Sequence, residues 1–241
     1  MTTKAMSSLE NYGFPALFAY LIGQDIAGLY ARRAGLATGL AGLTDGAIDL
    51  ADAIFLLFVV VRLAVYAFNS TVIVALLKRA RPAHPYRRLS DVTVPLLSTF
   101  SALTMNLFAY NPSPLNVRLL GPNLQPYATL TGLSLALAGV ALATRGVRDL
   151  GTSFSIFIED PKLVDGGLYR FMRHPIYLGY AIRFIGNWIM TSMVLHLALT
   201  LIAIVLLSYR AWLEERRLEE AGDGEYVRYR AATAAVLPGI G

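Results

Sequence analysis

Cysteine is absent from the 241 residues, which excludes disulfides, thiolate metal sites, cysteine nucleophiles and palmitoylation together. Histidine is nearly absent: His84, His174 and His196 are the full set. That is too few for a histidine-rich centre, and no metal is expected. Charge is scarce as well. Only 15% of the residues are Asp, Glu, Lys or Arg, against roughly 25% in soluble domains, while 56% are hydrophobic. This is the composition of a membrane protein. The opening residues, MTTKAMSSLENYG, lack the basic region, apolar core and small-residue cleavage site of a signal peptide, so the whole chain is expected to be retained. The formal charge of +5 does not argue for nucleic acid, because the basic residues are interleaved with apolar runs in a positive-inside distribution.

A hydrocarbon core of about 30 Å needs roughly 20 apolar residues of helix. Ala53–Leu77, Val94–Tyr110, Tyr127–Thr144 and Met193–Tyr209 meet that length or approach it. Ile176–Met190 is a shorter fifth run, rising only about 22 Å. It completes its crossing with the His174-Pro175 turn and pairs with the next helix across Thr191-Ser192 as a helical hairpin. Lys78, Arg79, Arg81, Arg87 and Arg88 lie between spans one and two. Arg145, Arg148, Lys162, Arg170 and Arg173 lie between three and four, and five arginines follow span five. The opposite loops hold Arg118 and an uncharged turn. The reading is therefore all-α and polytopic, with about five spans and a cytoplasmic C-terminus. Tyr12–Ala31 carries Gln24 and Asp25 and precedes Arg32-Arg33, so it is either a sixth span or an interfacial helix. The chain reads as one domain, with N-terminal helices over 1–124 and a core over 125–241; the 31–50 stretch has no role that the sequence assigns.

Two stretches at the cytoplasmic side are more than connectors: FSIFIEDPKLVDGGLYRFMRHP is too aromatic and apolar for a solvated linker, and RAWLEERRLEEAGDGEYVRYRAATAAVLPGIG alternates charge with aromatics. Pro175 suits the first turn of a helix, which puts His174 at or beside its N-cap, with Arg173 adjacent. That end of a helix dipole favours neutral imidazole and attracts anions. Tyr177 and Tyr180 are three apart; Gly179 and Gly186, seven apart, offer a face for close approach by a helix or a flat ligand. Arg183 and Asn187 share one face inside this span, and Arg62 lies inside span one. An intramembrane arginine costs at least ~2.5 kcal/mol at a helix centre, so each needs a partner, a cavity or the headgroup region. Arg210 and Glu214, four apart where span five leaves the bilayer, project from one face with Glu215 beside them, either as a surface ion pair or as a fixed dipole toward a ligand. Tyr226 and Tyr229 follow.

The order of these pieces resembles a known family. KLVDGGLYRFMRHPIYLGY, then a short hairpin, then RAWLEERRLEEAGDGEYVRYRAATAAVLPGI, is similar to the C-terminal core of the integral-membrane methyltransferases typified by isoprenylcysteine carboxyl methyltransferase, with the phospholipid N-methyltransferases as relatives. The likeness covers about residues 125–241. It implies S-adenosylmethionine in a cytoplasmic pocket roofed by the C-terminal helix and floored by the hairpin. On the resemblance, Leu163, Val164, Gly167 and Tyr169 wall the cofactor, His174 and Tyr177 contact it, and Glu215 or a later tyrosine closes the site. Arg173 and the helix N-terminus suit the cofactor's carboxylate. Arg210 and Glu214 match the pair nearest the methyl acceptor. The expected acceptor is a prenylated or otherwise lipid-like molecule drawn from the bilayer. Carboxylate O-methylation, which needs only an arginine to hold the acceptor, is favoured over amine N-methylation, which needs a carboxylate base.

Two other readings compete. A membrane reductase of the sterol-reductase type would use NADPH, with Arg170 and Arg173 on its phosphates. A small transporter would use Arg62 and Arg183, but duplicated halves and broken helices are missing. The protein is expected in the plasma membrane, or the inner membrane of a prokaryote, with its active site facing the cytoplasm.

Overall fold

The computed structural model describes residues 8–31, 49–79, 88–109, 117–158, 163–221 and 224–236. Among the described residues the architecture is all-α. After a π-helical turn, Leu9–Gly13, come α1 (Phe14–Ala31), α2 (Leu50–Lys78), α3 (Ser90–Ala109), α4 (Gln125–Leu150), α5 (Pro175–Thr191), α6 (Val194–Ala221) and α7 (Glu225–Ala232). Among the described residues, three segments are long and apolar enough to cross a membrane: α2, α4 with its following turn to Ser153, and α6 to Glu220. They contain most of three predicted spans. The runs at Val94–Tyr110 and Ile176–Met190 correspond to α3 and α5. Arg81, Arg87, Lys162 and residues 32–48 lie outside the described residues, as do the side chains of Gln24 and Asp25.

The helix ends follow from local chemistry. Asp49 caps α2 by accepting the Asp52 amide at 2.8 Å, and Asp52 reaches back to the Asp49 amide at 3.5 Å, a reciprocal arrangement that satisfies two otherwise unpaired donors. Lys78 sits at the carbonyl end, where the dipole favours a cation. Pro175 opens α5, and Ser192 ends it in the left-handed region (φ 51°) with its amide on the Trp188 carbonyl at 2.7 Å. Pro95 lies inside α3. It has no N–H to give to the carbonyl four residues back, and that carbonyl, of Asp91, instead accepts the Ile158 amide at 3.0 Å. A missing helical hydrogen bond thus becomes an anchor for the 154–158 segment.

In space the order is α1, α2, α4, α5, α6, α3, each packed on the next. Apolar burial against lipid drives helix association weakly, so contact distance matters most. The closest partner of α5 is α4. Gly179 and Gly186 face Gly139 and Gly132: a Cβ at Gly179 would stand 2.6 Å from the Gly139 carbonyl oxygen, and one at Gly186 2.6 Å from that of Gly132. The expected close-approach face on α5 is therefore real, and its counterpart is a glycine series on α4 with the same seven-residue spacing, which the sequence displays openly. The contact between α3 and α6 is antiparallel: Arg210, Leu213 and Arg217 meet Ser98, Val94 and Asp91 in turn. The main core gathers Phe68, Val72, Leu76, Val140, Val147 and Phe157. The FSIFI stretch, too apolar for a solvated linker, buries Ile156, Phe157 and Ile158 there and beside α6.

Candidate active site

The site is assembled around adjacent residues on α6. At 3.6 residues per turn, neighbouring side chains point about 100° apart, so Glu214 and Glu215 face different partners. The Glu215 carboxylate accepts from Arg173 Nε at 2.8 Å and from His174 Nε2 at 2.8 Å, with Arg230 Nε at 3.8 Å. His174 stands at the N-cap of α5, as Pro175 suggested, but its side chain makes no cap hydrogen bond and turns to Glu215. A carboxylate can only accept, so Nε2 carries the proton in this pair.

Arg173 is bound on several sides. Besides Glu215 it donates to the carbonyls of Arg230, at 3.2 Å, and Thr233, which lie at the end of α7, where a cation meets the negative pole of the helix. Its amide and that of His174 reach the carbonyls of Ala234 and Ala235 at 2.9 and 3.2 Å. The C-terminal segment is thus fastened across the start of α5.

Glu214 belongs to a second cluster. It accepts from the Tyr177 hydroxyl and from Arg210 Nε at 3.1 Å. Arg210 also donates through Nη1 to Ser98 Oγ at 3.3 Å and through Nη2 to the Ile156 carbonyl at 2.6 Å, and its guanidinium lies 5.3 Å from the centroid of the Tyr177 ring. The two clusters touch through aromatic rings: His174 and Tyr177 stack with centroids 5.5 Å apart and planes 12° from parallel.

Tyrosines close the lower side. Tyr229 donates to the Tyr169 carbonyl at 2.6 Å, and the ring of Tyr226 lies 6.0 Å from that of Tyr229. The Tyr226 hydroxyl is buried with no hydrogen-bond partner among the described residues. Burial, reinforced by the Glu215 charge, pushes its phenol up; burial and then the Glu214 charge push Tyr169 well up; burial pushes Tyr229 up to about 12 against the opposing pull of Arg173. All three stay neutral donors at physiological pH.

The sequence-predicted Arg173, His174, Tyr177, Arg210, Glu214 and Glu215 therefore come together, with Tyr169 alongside. Leu163 and Val164 are half-buried. Gly167 adopts φ 61°, and a Cβ there would collide with the Asp149 carboxylate, which receives the Leu168 amide at 2.9 Å. Arg62 lies 5.0 Å from the Phe58 ring centroid on α2. Sequence reasoning missed Ser98, Asp91 and Glu10. Asp91 pairs with Arg217 inside the α3–α6 contact. Glu10, fully buried, accepts from Arg79 at 2.5 Å, from Ser155 Oγ at 2.7 Å and from the amides of Ile156 and Phe157 at 2.7 and 3.1 Å. No local pattern announces their roles, since the partners that tie them to α6 and to the 154–158 segment lie far along the chain.

Comparisons with known proteins bear on this arrangement. The family model for phospholipid methyltransferase matches residues 127–221. A protein of Oryza sativa subsp. indica described as probable protein-S-isoprenylcysteine O-methyltransferase is 34% identical over 130 residues, covering 51% of this chain and 68% of that protein. Methanethiol S-methyltransferase 1 of Bradyrhizobium diazoefficiens is 34% identical over 78 residues, 32% of this chain and 27% of that one. A solved structure of the eukaryotic intramembrane Ras methyltransferase, isoprenylcysteine carboxyl methyltransferase, aligns over 99% of this chain and 98% of its own at 16% identity and a TM-score of 0.46. The family-model match and the sequence relatives select the methyltransferase over the reductase and the transporter. The chain belongs to the isoprenylcysteine O-methyltransferase family, related to the phospholipid methyltransferases, and is an S-adenosylmethionine-dependent methyltransferase of the membrane.

Proposed function

We propose that the protein methylates the polar head of a prenylated or otherwise lipid-like acceptor, with a carboxylate as the favoured acceptor group. The observation that carries this is the divergence of Glu214 and Glu215 into separate clusters at the point where α6 changes from apolar to charged. A lipid's head must stop near there because its tail cannot follow into water. Arg210 spends three of its five N–H groups on Glu214, Ser98 and Ile156, leaving one on each terminal nitrogen for the two oxygens of a carboxylate.

The residues present fit the cofactor. Glu215 supplies negative charge and the unpartnered Tyr226 hydroxyl a buried hydrogen bond; Tyr169, Leu163, Val164 and Gly167 supply a wall, and Arg173, His174 and Tyr177 border it. When bound, the cofactor supplies an electrophilic methyl group. In-line approach then makes position the main requirement on the protein, and the Tyr177 to Glu214 to Arg210 chain restrains the acceptor side. For an amine acceptor Glu214 would take the proton instead. The reading includes one domain with its methyltransferase core at 125–241, five spans with α5 and α6 as a hairpin, and a site on the cytoplasmic face, the side on which the loop arginines concentrate.

The test is methyl transfer by the purified protein in lipid nanodiscs from methyl-labelled S-adenosylmethionine, offered N-acetyl-S-farnesylcysteine or vesicles of phosphatidylethanolamine. A carboxylate product is an ester and releases its label as methanol in base. Label stable to base on the phospholipid would move the function to amine methylation, and no transfer to either would remove the lipid-acceptor reading.

A further inference from the structure

We propose that Glu10 is a positioning residue for the acceptor side, acting on Arg210 through a single peptide group. The carbonyl of Ile156 accepts from Arg210 Nη2 at 2.6 Å, and the N–H at the other end of that same amide, on Phe157, donates to Glu10 Oε1 at 3.1 Å. The preceding amide, on Ile156, and the Ser155 hydroxyl donate to the same oxygen, each at 2.7 Å. Arg79, at the end of α2 with a side chain 4% exposed, holds the other carboxylate oxygen at 2.5 Å. An amide placed between a carboxylate at its N–H and a guanidinium at its C=O is polarised by both, and each hydrogen bond strengthens the other in a medium of low dielectric. Glu10 thus fixes where the Ile156 carbonyl stands, and that carbonyl, with Ser98 and Glu214, fixes the plane of the Arg210 guanidinium. The inference rests on the reading of Arg210 as an acceptor-side residue.

The arrangement gives the N-terminal half of the chain a task. Glu10, Arg79 and Ser98 all precede the residues matched by the phospholipid methyltransferase family model, 127–221, yet they determine the surroundings of an arginine inside it. A peg that served stability alone would lower folding and cofactor affinity together; a positioning residue changes transfer first. The anchor at Asp91, whose carbonyl holds the Ile158 amide at 3.0 Å, lets the 154–158 segment stay docked when Glu10 is changed.

The experiment is a double-mutant cycle in nanodiscs with Glu10→Gln, Arg210→Lys and the double variant, reading S-adenosylhomocysteine affinity by calorimetry and transfer to N-acetyl-S-farnesylcysteine. Glu10→Gln should lower kcat/KM for the acceptor by about tenfold to a hundredfold, the range of a misplacement on the order of 1 Å, with S-adenosylhomocysteine affinity close to that of the wild type. Because the effect passes through Arg210, adding Glu10→Gln to Arg210→Lys should cost less than about threefold more. Unchanged turnover in Glu10→Gln, or full multiplication of the two losses, overturns the proposal. If Glu10→Gln fails to bind S-adenosylhomocysteine, Arg79→Lys, which keeps the charge beside Glu10 but not the guanidinium, carries the same cycle with the same two outcomes. If Arg210→Lys turns over normally, or the wild type leaves the probe unmethylated, the acceptor-side reading has failed. Glu10 is then judged by hydrogen exchange in the tightest-folding variant: faster exchange confined to the amides of Ile156 and Phe157 retains the contact as a positioning device, and unchanged exchange removes it.

Discussion

Glu214 and Glu215 are the same residue type one position apart on one helix, yet they are held by different parts of the chain. The partners of Glu215 lie at 173, 174 and 230, all in the last third of the chain. Around Glu214 the fixed points include Tyr177 but also, through Arg210, Ser98 of α3 and Ile156 of the buried segment. The Glu215 side draws on residues close to or within the stretch shared with relatives, and the Glu214 side reaches outside it. Two neighbouring carboxylates are thus held by separate stretches of the chain, and only the Glu214 cluster, through Arg210, takes a partner from the N-terminal half.

The strongest way to break the comparison is Glu215→Ala. It leaves Arg173 and His174 buried without their carboxylate and frees the C-terminal segment they help hold, a loss of roughly 3 kcal/mol. Calorimetry should find S-adenosylhomocysteine binding abolished or nearly so; retained binding would mean the Glu215 cluster is structural only. Next in size is Arg210→Lys together with Glu214→Gln as separate variants. Lysine keeps the charge but loses the planar fork, and each should lose on the order of 10²-fold in transfer while binding S-adenosylhomocysteine within a few-fold of wild type. If both instead weaken cofactor binding as much as transfer, the two clusters are one site and the contrast dissolves.

The smallest change, Tyr229→Phe, sharpens the Glu215 side. It removes the hydrogen bond to the Tyr169 carbonyl, worth about 1 kcal/mol, and should leave the acceptor kinetics alone. It also has a sign in pH. A phenol raised from 10.0 to about 12 by burial contributes stability below pH 10 that is lost as pH rises through that interval. Thermal unfolding between pH 9 and 12 should therefore fall less steeply in Tyr229→Phe than in the wild type, and parallel curves would show that the phenol does not titrate with unfolding.

Much of this was legible without coordinates. The RHP sequence marks the start of α5 because proline tolerates only the first turn, and Gly179 with Gly186 marks a close-packed face. Arg210 and Glu214 are readable as a pair because a helix brings positions four apart together. Spacing alone does not say which way each glutamate turns, although the family resemblance sets Glu214 with Arg210 and Glu215 with the cofactor. Sequence spacing treats Glu214 and Glu215 alike in kind, and the choice between Tyr177 and His174 as partner depends on how α5 crosses α6. Glu10 was illegible for a related reason: it is a lone acid in an amphiphilic opening, and the amides it receives lie 146 and 147 residues away.

The sequence by itself determined the solvent and the local grammar: a chain with 15% charge and no cysteine must live in a membrane without thiol chemistry, and its prolines, glycines and helical spacings set where helices begin, end and press together. Those are properties of residues within a few positions of one another, and the backbone enforces them locally. Only the tertiary structure decided that Asp91 would meet Arg217, that the carbonyl freed by Pro95 would take the Ile158 amide, and that Glu10 would reach Arg210 across one peptide. Buried polar groups must find partners wherever the packing of helices brings them, and that requirement acts on distance in space, which the order of residues along a chain does not record.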